Sequence, residues 1–445
     1  MGLRLGCFVW GAAFCDDGRR RLPLGIGAKF AARTGIFFGW WVVFASATLT
    51  FLTGGTFFYG FSALFNPIRE EFGWSSASLA FAFSLRSEIG GLASPVVGFA
   101  VDRIGPRLLM AGGVLTVAAG FALMSRVESL WGLYGAVAVI AIGMSAAAGP
   151  VGMVAVTHWF SRKRGRALAV LATVTGMSGI MVLVLAGLIS AFGWRDSLLI
   201  MAVVQVVVCF PLALTIRNRP ADVGLRPDGD PIELDAEGAQ VPMPPLEGMT
   251  VRQAIRHPSF WKLAAMLTLV NMGMIAVIVH QIPFFTKSVG LSNGLAAASV
   301  TVMLMFSLIG RFGIGSMSDV VNKRYVMAGA CFLCGMSLLL YATVYDGWQI
   351  AYALPVFAIG WGGIIPTRPA FQAEYFGLKA FGAIQGLTFT VATLGALVGP
   401  VFAGWMFDET ESYRLSFVIL SLGGLASVPL VLSMTKPEWG AAGSG

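Results

Sequence analysis

Charge is scarce in this chain. Asp, Glu, Lys and Arg make up 12% of its 445 residues, against about 25% in an ordinary soluble domain. Apolar residues make up 57%. So little charge cannot cover so large an apolar mass in water, which excludes a simple soluble enzyme, and the apolar excess excludes a disordered chain. Histidine is scarcer still, with three copies, and the five cysteines, at 7, 15, 209, 331 and 334, show no paired CxxC-and-His spacing. Neither a metal site nor a disulfide framework is expected. There is no clustered His/Asp metal set, no phosphate-cradling loop and no nucleophile motif beside a base. No enzyme activity, cofactor or direct ATP drive is therefore expected.

What the chain has is length without charge. Eleven runs carry no Asp, Glu, Lys or Arg: 34–68, 108–125, 129–161, 167–194, 197–216, 263–286, 288–310, 325–345, 347–367, 380–407 and 415–435. A twelfth apolar segment, 72–101, is broken only by Arg86 and Glu88. Each is near or above the ~18–20 residues that a spanning helix needs. With the N-terminus inside, inner segments carry 21 Lys or Arg and outer loops 5; the other four, Arg86, Lys262, Arg311 and Arg368, lie within or at the edge of membrane segments. The positive-inside rule then predicts a multi-pass protein of the cell (inner) membrane with both termini in the cytoplasm. The net charge of +8 reports topology, not nucleic-acid binding.

The pattern divides the chain into a cytoplasmic tail (1–34), a six-helix bundle (35–216), a polar linker (217–258), a second six-helix bundle (259–436) and a short tail (437–445). The linker holds seven acids, five arginines and seven prolines, the composition of a solvated connection. The halves repeat. Gly98-Phe-Ala-Val-Asp102-Arg103-Ile-Gly105-Pro-Arg107 recurs 217 residues later as Gly315-Ser-Met-Ser-Asp319-Val-Val-Asn322-Lys323-Arg324. Gly73-Trp-Ser75 recurs as Gly290-Leu-Ser292 at the same offset, and Trp159-Phe160 as Tyr375-Phe376 at 216. Gly105 and Asn322 are both residues that tolerate a left-handed turn. Duplicated halves around a cytoplasmic linker are the mark of a transporter built from repeats.

On these residues the sequence resembles the major facilitator superfamily over roughly residues 36–436. The segment Gly98–Arg107 resembles the family's loop between helices 2 and 3, with a weaker copy after helix 8. The resemblance implies an all-α membrane fold of twelve transmembrane helices in two pseudo-symmetric six-helix bundles. It also implies alternating access, with Asp102, Arg103, Arg107, Asp319, Lys323 and Arg324 as an inner latch whose pairs break and remake as the halves rock. The alternative is a topology signal that also caps helix ends. Trp159-Phe160, the basic run Arg162–Arg166 and the small residues after it partly resemble the helix 5 pattern of monocarboxylate porters; Phe38-Gly39-Trp40-Trp41 resembles the start of their bacterial relatives.

Ionisable residues inside the membrane are costly and therefore informative. Arg311 stands eight residues before Asp319, about 12 Å along a helix and near the midplane. Its planar guanidinium can hold a carboxylate with two parallel hydrogen bonds. Gly310-Arg311-Phe312-Gly313-Ile314-Gly315 resembles helix 8 of the monocarboxylate and oxalate/formate porters, where an arginine binds the substrate carboxylate; the other reading is an arginine neutralised by Glu88 or a carbonyl. The sequence departs from those relatives at Ser307, where animal monocarboxylate porters carry an aspartate, and at Thr388, where the oxalate porter carries a lysine. One dominant cation favours a monovalent carboxylate. Arg368 reads either as an inner-gate residue paired with Glu374 or as a cavity residue. Glu88 reads as a proton carrier or as one end of a fixed ion pair; Arg86, two residues away on another helix face, is a poor partner for it. By the resemblance, Tyr59 and Trp361 match pocket aromatics of the oxalate porter, and the alternative for each is ordinary packing. His280 is expected near the outer surface, and Asn271 mid-helix.

The expected partners are a small organic anion, a proton or counter-anion, and lipid. Proton symport and anion exchange both fit. An exporter of apolar or cationic compounds is the alternative within transport, and a non-transporting receptor the alternative of another class.

Overall fold

The computed structural model describes residues 36–230 and 246–437. The N-terminal tail, most of the C-terminal tail and the middle of the linker lie outside the described residues. The first half contains α1 (Phe38–Gly54), α2 (Phe61–Phe72), α3 (Ser76–Ile104), α4 (Pro106–Met124), α5 (Leu130–Ala147), α6 (Pro150–Trp159), α7 (Arg164–Met177), α8 (Met181–Val204) and α9 (Phe210–Thr215). The linker ends in the short α10 (Val251–Arg256). The second half contains α11 (Pro258–Pro283), α12 (Asn293–Met317), α13 (Lys323–Ala342), α14 (Ile350–Phe376), α15 (Phe381–Thr410) and α16 (Arg414–Leu432). Among the described residues the sole β pairing is a bridge between Gly248 and Gly377.

Ten helical stretches among the described residues are long and apolar enough to cross a membrane. One of them, Arg164–Thr215, runs for 52 residues and folds back at Gly193, where φ is 78°, so it makes two passes. Helix α3 is 29 residues long, ample for one more pass, but Arg86 and Glu88 interrupt its apolar run. The total is twelve, as the charge-free segments predict. Large apolar side chains face outward all round, among them Leu183 at 75% exposure and Val207 at 65%. A surface of this kind belongs in lipid, not water.

The repeated motifs mark helix boundaries. Gly73 and Gly290 both have positive φ, 65° and 79°. Two residues later Ser75 and Ser292 cap α3 and α12, their hydroxyls accepting from the N–H groups of Ser78 and Leu295. The expected match of Gly105 and Asn322 as left-handed turns holds for Gly105 (φ 82°) and fails for Asn322 (φ −53°). Asn322 instead caps α13, its side-chain oxygen accepting from Arg324 N–H at 3.0 Å. In the first half Asn218 of the linker supplies that acceptor, 3.0 Å from Arg107 N–H, and it fills the space beside Gly105 that a Cβ would need. The two halves thus reach the same cap from different chain positions.

Candidate functional site

The halves meet closely at the linker end. Asp102, at the last turn of α3, accepts hydrogen bonds from Gly382 N–H (2.9 Å) and Ala383 N–H (2.8 Å), the first turn of α15 in the other half. Asp319, just past α12, accepts from Gly165 N–H (2.5 Å) and Arg166 N–H (2.9 Å) at the first turn of α7. Each carboxylate faces the unpaired donors and the positive dipole end of a helix from the opposite half. Burial raises the Asp319 carboxyl above its ordinary pKa, and the two amide bonds and nearby Lys323 and Arg166 oppose that rise.

Only glycine permits these approaches. A Cβ on Gly165 would lie 2.4 Å from Gly315 O, and one on Gly98 would lie 2.3 Å from Gly382 O. The other latch residues are placed differently from their expected partners. Arg103 is exposed, and Arg107 and Arg324 donate their backbone N–H groups to the capping asparagines. Lys323 pairs with Glu374 at 2.9 Å across the second half. Among the described residues, Asp102 and Asp319 meet backbone amides, with Arg166 Nε at 4.0 Å from Asp319 as the one side-chain cation within ion-pair distance.

The linker is fastened beside both caps. Asp228 accepts from the N–H groups of Ser161, Arg162 and Lys163, and Asp230 pairs with Arg162. At its other end Leu378 N–H donates to Glu247 O and Met249 N–H to Phe376 O, both at 2.8 Å.

Between the halves lies a cavity of about 600 Å³. Its wall is formed by helices of both halves, and its described titratable side chains are Tyr59, Arg86 and Arg368; no described acid lines it. Tyr59 comes from a π-helical turn, Gly55–Tyr59, between α1 and α2, a local widening common at functional sites. Arg86 is buried, and its Nη1 donates to Phe58 O at 3.2 Å while the guanidinium sits 4.1 Å from the centre of the Phe58 ring. Arg368 is half-buried, and its guanidinium lies 5.5 Å from the Phe389 ring centre. It makes no hydrogen bond or ion pair with a described residue, and its Nε is buried without a partner. The expected Arg368–Glu374 pair is absent, because Glu374 is taken by Lys323.

Arg311 does not line the cavity. It reaches it through Trp361, which does: the guanidinium stacks 5.4 Å from the Trp361 ring centre. Glycines bring these two together, since Gly362 packs on Ser307 O and Gly310 on Ile359 O, each too close for a side chain. Arg311 Nη1 donates to Ala172 O of the other half at 2.7 Å, and its Nε has no partner. The carbonyl contact is the alternative that the sequence left open. The side chain of Glu88 lies outside the described residues, so its two readings stand as they were. Thr388 turns away to the Ile384 carbonyl, while Asn271 lines the cavity and donates to Ala392 O. His280 bonds the Pro400 carbonyl and lies against Tyr413.

The comparisons agree with this architecture. Residues 43–400 match the sequence model of the Major Facilitator Superfamily, and the chain belongs to that family of membrane transporters. It is 25% identical over 382 residues to the oxalate:formate antiporter of Oxalobacter formigenes, covering 82% of this chain and 86% of that one. It is 26% identical over 415 residues to monocarboxylate transporter 13 of Bos taurus, covering 89% of each. Among solved structures, the human organic anion transporter MFSD10 (TETRAN) superposes with a TM-score of 0.66 at 13% identity, over 88% of this chain and 98% of that one. The E. coli fucose:proton symporter FucP gives 0.63 at 15% identity with the same coverage. These last two show the shared fold.

Proposed function

We propose that this protein is a secondary active transporter of a small organic anion carrying carboxylate, working by alternating access with proton symport or anion exchange. The observation that carries this reading is the sign of the cavity: the described charged groups on its wall are two guanidiniums, with a third behind Trp361. A cationic cargo would meet repulsion there, which disfavours the exporter reading. Relatives named for oxalate, formate and monocarboxylates support the same class. The monocarboxylate preference expected from the sequence counts Arg311 alone; Arg86 and Arg368 add to that count. The excess of basic residues at the linker end supports a cytoplasmic placement of that end and of both termini in the cell membrane.

Anion entry at the far end and closure of the two aspartate caps at the linker end make one half of the cycle; release of the caps makes the other. Neutralising the guanidiniums lowers the cost of moving them through a changing dielectric. Purified protein in liposomes preloaded with unlabelled carboxylate should take up labelled carboxylate by counterflow at constant pH. A pH step that drives net uptake identifies proton coupling; failure of every carboxylate to support counterflow or uptake overturns the assignment.

A further inference from the structure

Two of the guanidiniums at the cavity are already engaged. Arg311 stacks behind Trp361 and donates to Ala172 O. Arg86 donates to Phe58 O and lies over the Phe58 ring. Arg368 lines the cavity, rests against the Phe389 ring and makes no hydrogen bond or ion pair with a described residue. Trp361 stands seven residues before Arg368 on α14, two turns and about 10.5 Å toward the far end, on nearly the same helix face. Ile364 and Ile365 stand between them, and all four line the cavity. Val97, Val151, Val154, Leu267 and Met274 add apolar surface from three other helices. Five of the wall's serine and threonine hydroxyls are turned back to their own helices. Thr50, Ser145, Thr175 and Thr393 each donate to the carbonyl four residues earlier, and Ser178 donates to Thr175 O.

We propose that the cargo is a monocarboxylate with an apolar body, an arylalkyl or medium-chain acid, its carboxylate held by Arg368 and its body lying on Ile365 and Trp361. The proposal rests on the anion-transport reading above and narrows its substrate class. The Arg368 guanidinium can hold one carboxylate by two parallel hydrogen bonds. A second carboxylate would have Arg86 as its one described cation on the wall, and Arg86 is already bonded to Phe58 O. A cargo rich in hydroxyls would leave water for a wall whose hydroxyl donors are bound to carbonyls, a loss without return. An apolar body loses nothing there and gains about four-fold in affinity for each methylene it buries. The cavity's 600 Å³ agrees, being of the size that holds molecules well above acetate or lactate. Arg368 lies nearer the linker end than Trp361, so an anion entering from the far end seats its carboxylate at depth. Its body then covers the ion pair, and excluding water strengthens that pair. The ring that the body meets is itself tied across the halves, since Arg311 under Trp361 bonds Ala172 O.

The test is a thermal-shift titration and counterflow panel on the full-length protein with acetate, lactate, succinate, hexanoate and 3-phenylpropionate. The uncharged 3-phenylpropionamide serves as control. Hexanoate and 3-phenylpropionate should half-saturate about thirty-fold or more below acetate, lactate and succinate, and the amide should give no response. Arg368→Gln should weaken 3-phenylpropionate about ten-fold or more, and Arg368→Lys should recover part of that loss. Trp361→Ala should cost 3-phenylpropionate more than acetate. The melting temperature of each unliganded variant reports whether it is folded, and the wild-type panel with the amide control is decisive without any variant. Acetate, lactate or succinate binding as tightly as 3-phenylpropionate overturns the apolar-body assignment and leaves the anion reading standing. The amide binding as tightly as the acid overturns the carboxylate anchor. A folded Arg368→Gln with wild-type affinity for 3-phenylpropionate overturns Arg368 as that anchor, and equal losses for both acids in Trp361→Ala overturn the placement of the body. No response to any carboxylate overturns both this proposal and the anion reading.

Discussion

Replacing Gly98 by alanine should prop the linker end open. The added Cβ would lie 2.3 Å from Gly382 O, 2.8 Å from Gly382 C and 3.0 Å from Ala383 Cα. All three are backbone atoms, so no side chain can swing away. A carbon–oxygen contact settles at about 3.3 Å or more, and α3 must part from α15 by about 1 Å. The two bonds from Asp102, at 2.9 and 2.8 Å, would then stretch to about 3.8 Å and cease to count as hydrogen bonds. Bonds to a charged group contribute about 1.5–3 kcal/mol each. Taking the lower value for both gives about 3 kcal/mol against closure, more than a hundred-fold shift in the closing equilibrium.

A cysteine at Val101, which is 2% exposed and lines the linker end of the cavity, reports the change through its rate of labelling by a membrane-impermeant maleimide. The rate should rise at least ten-fold in the Gly98→Ala background. Gly112→Ala is the matched control: it too lies inside a helix, with nothing within 4 Å of the added carbon, and labelling should not change. Equal labelling of the Gly98→Ala protein and its parent, with both folded, would refute the claim that backbone contact at this glycine governs closure.

The other predictions are simpler to read. Asp228→Ala should lower stability by about 2–3 kcal/mol in a detergent melting assay, because three N–H groups lose their acceptor and alanine tolerates φ of 58° poorly. Asp228→Gly should cost less, through the backbone share alone. Asn218→Ala and Asn322→Ala should each cost about 1 kcal/mol by the same assay, as lost caps at equivalent helix starts. Arg195→Ala should destabilise the far end of the first half by about 1–2 kcal/mol, since Arg195 joins Glu71 to the Ser125 and Val127 carbonyls. Trp361→Ala removes the ring beneath Arg311 and should weaken carboxylate affinity about ten-fold, read from the concentration dependence of thermal stabilisation, an effect of the size of one cation–π contact.

The twelve passes were legible because lipid imposes one rule, a long run without charge, and the sequence obeys it in every segment but α3. That exception is itself meaningful: Arg86 interrupts the run because it lines the cavity. The residues on the cavity wall were harder to read. Depth along a helix follows from counting, so Arg311 and Arg368 were both placed at a plausible level. The direction each side chain takes depends on which neighbour comes closest, and that is set by glycines acting in pairs across helices. Gly310 and Gly362 draw α12 against α14 and leave Arg311 behind Trp361. Arg368 loses its expected partner because Lys323 lies nearer to Glu374. Neither competition is visible in spacing along one chain segment.

One signal in the sequence went further than the motif that contained it. Asp102 and Asp319 are separated by 217 residues, and so are their partners: Gly165 and Gly382, Arg166 and Ala383. The structure pairs them crosswise, Asp102 with Gly382 and Ala383, Asp319 with Gly165 and Arg166. A duplicated contact within each half would stabilise the halves separately. The exchanged contact stabilises only their closure, twice, by the same chemistry at two places related by the repeat. A carboxylate facing two amide N–H groups at a helix start needs no particular side chain opposite it, only a glycine small enough to let it in. The neighbouring arginines and lysines can therefore be spent on other tasks, as Lys323 is on Glu374. Opening then requires both caps to release, and a single defective cap should leave a transporter that still closes, with a shifted equilibrium, whereas Asp102→Asn combined with Asp319→Asn should shift it by roughly the sum of the two single effects in the Val101→Cys labelling assay. A double variant no worse than either single one would mean that the two caps do not act on the same closure.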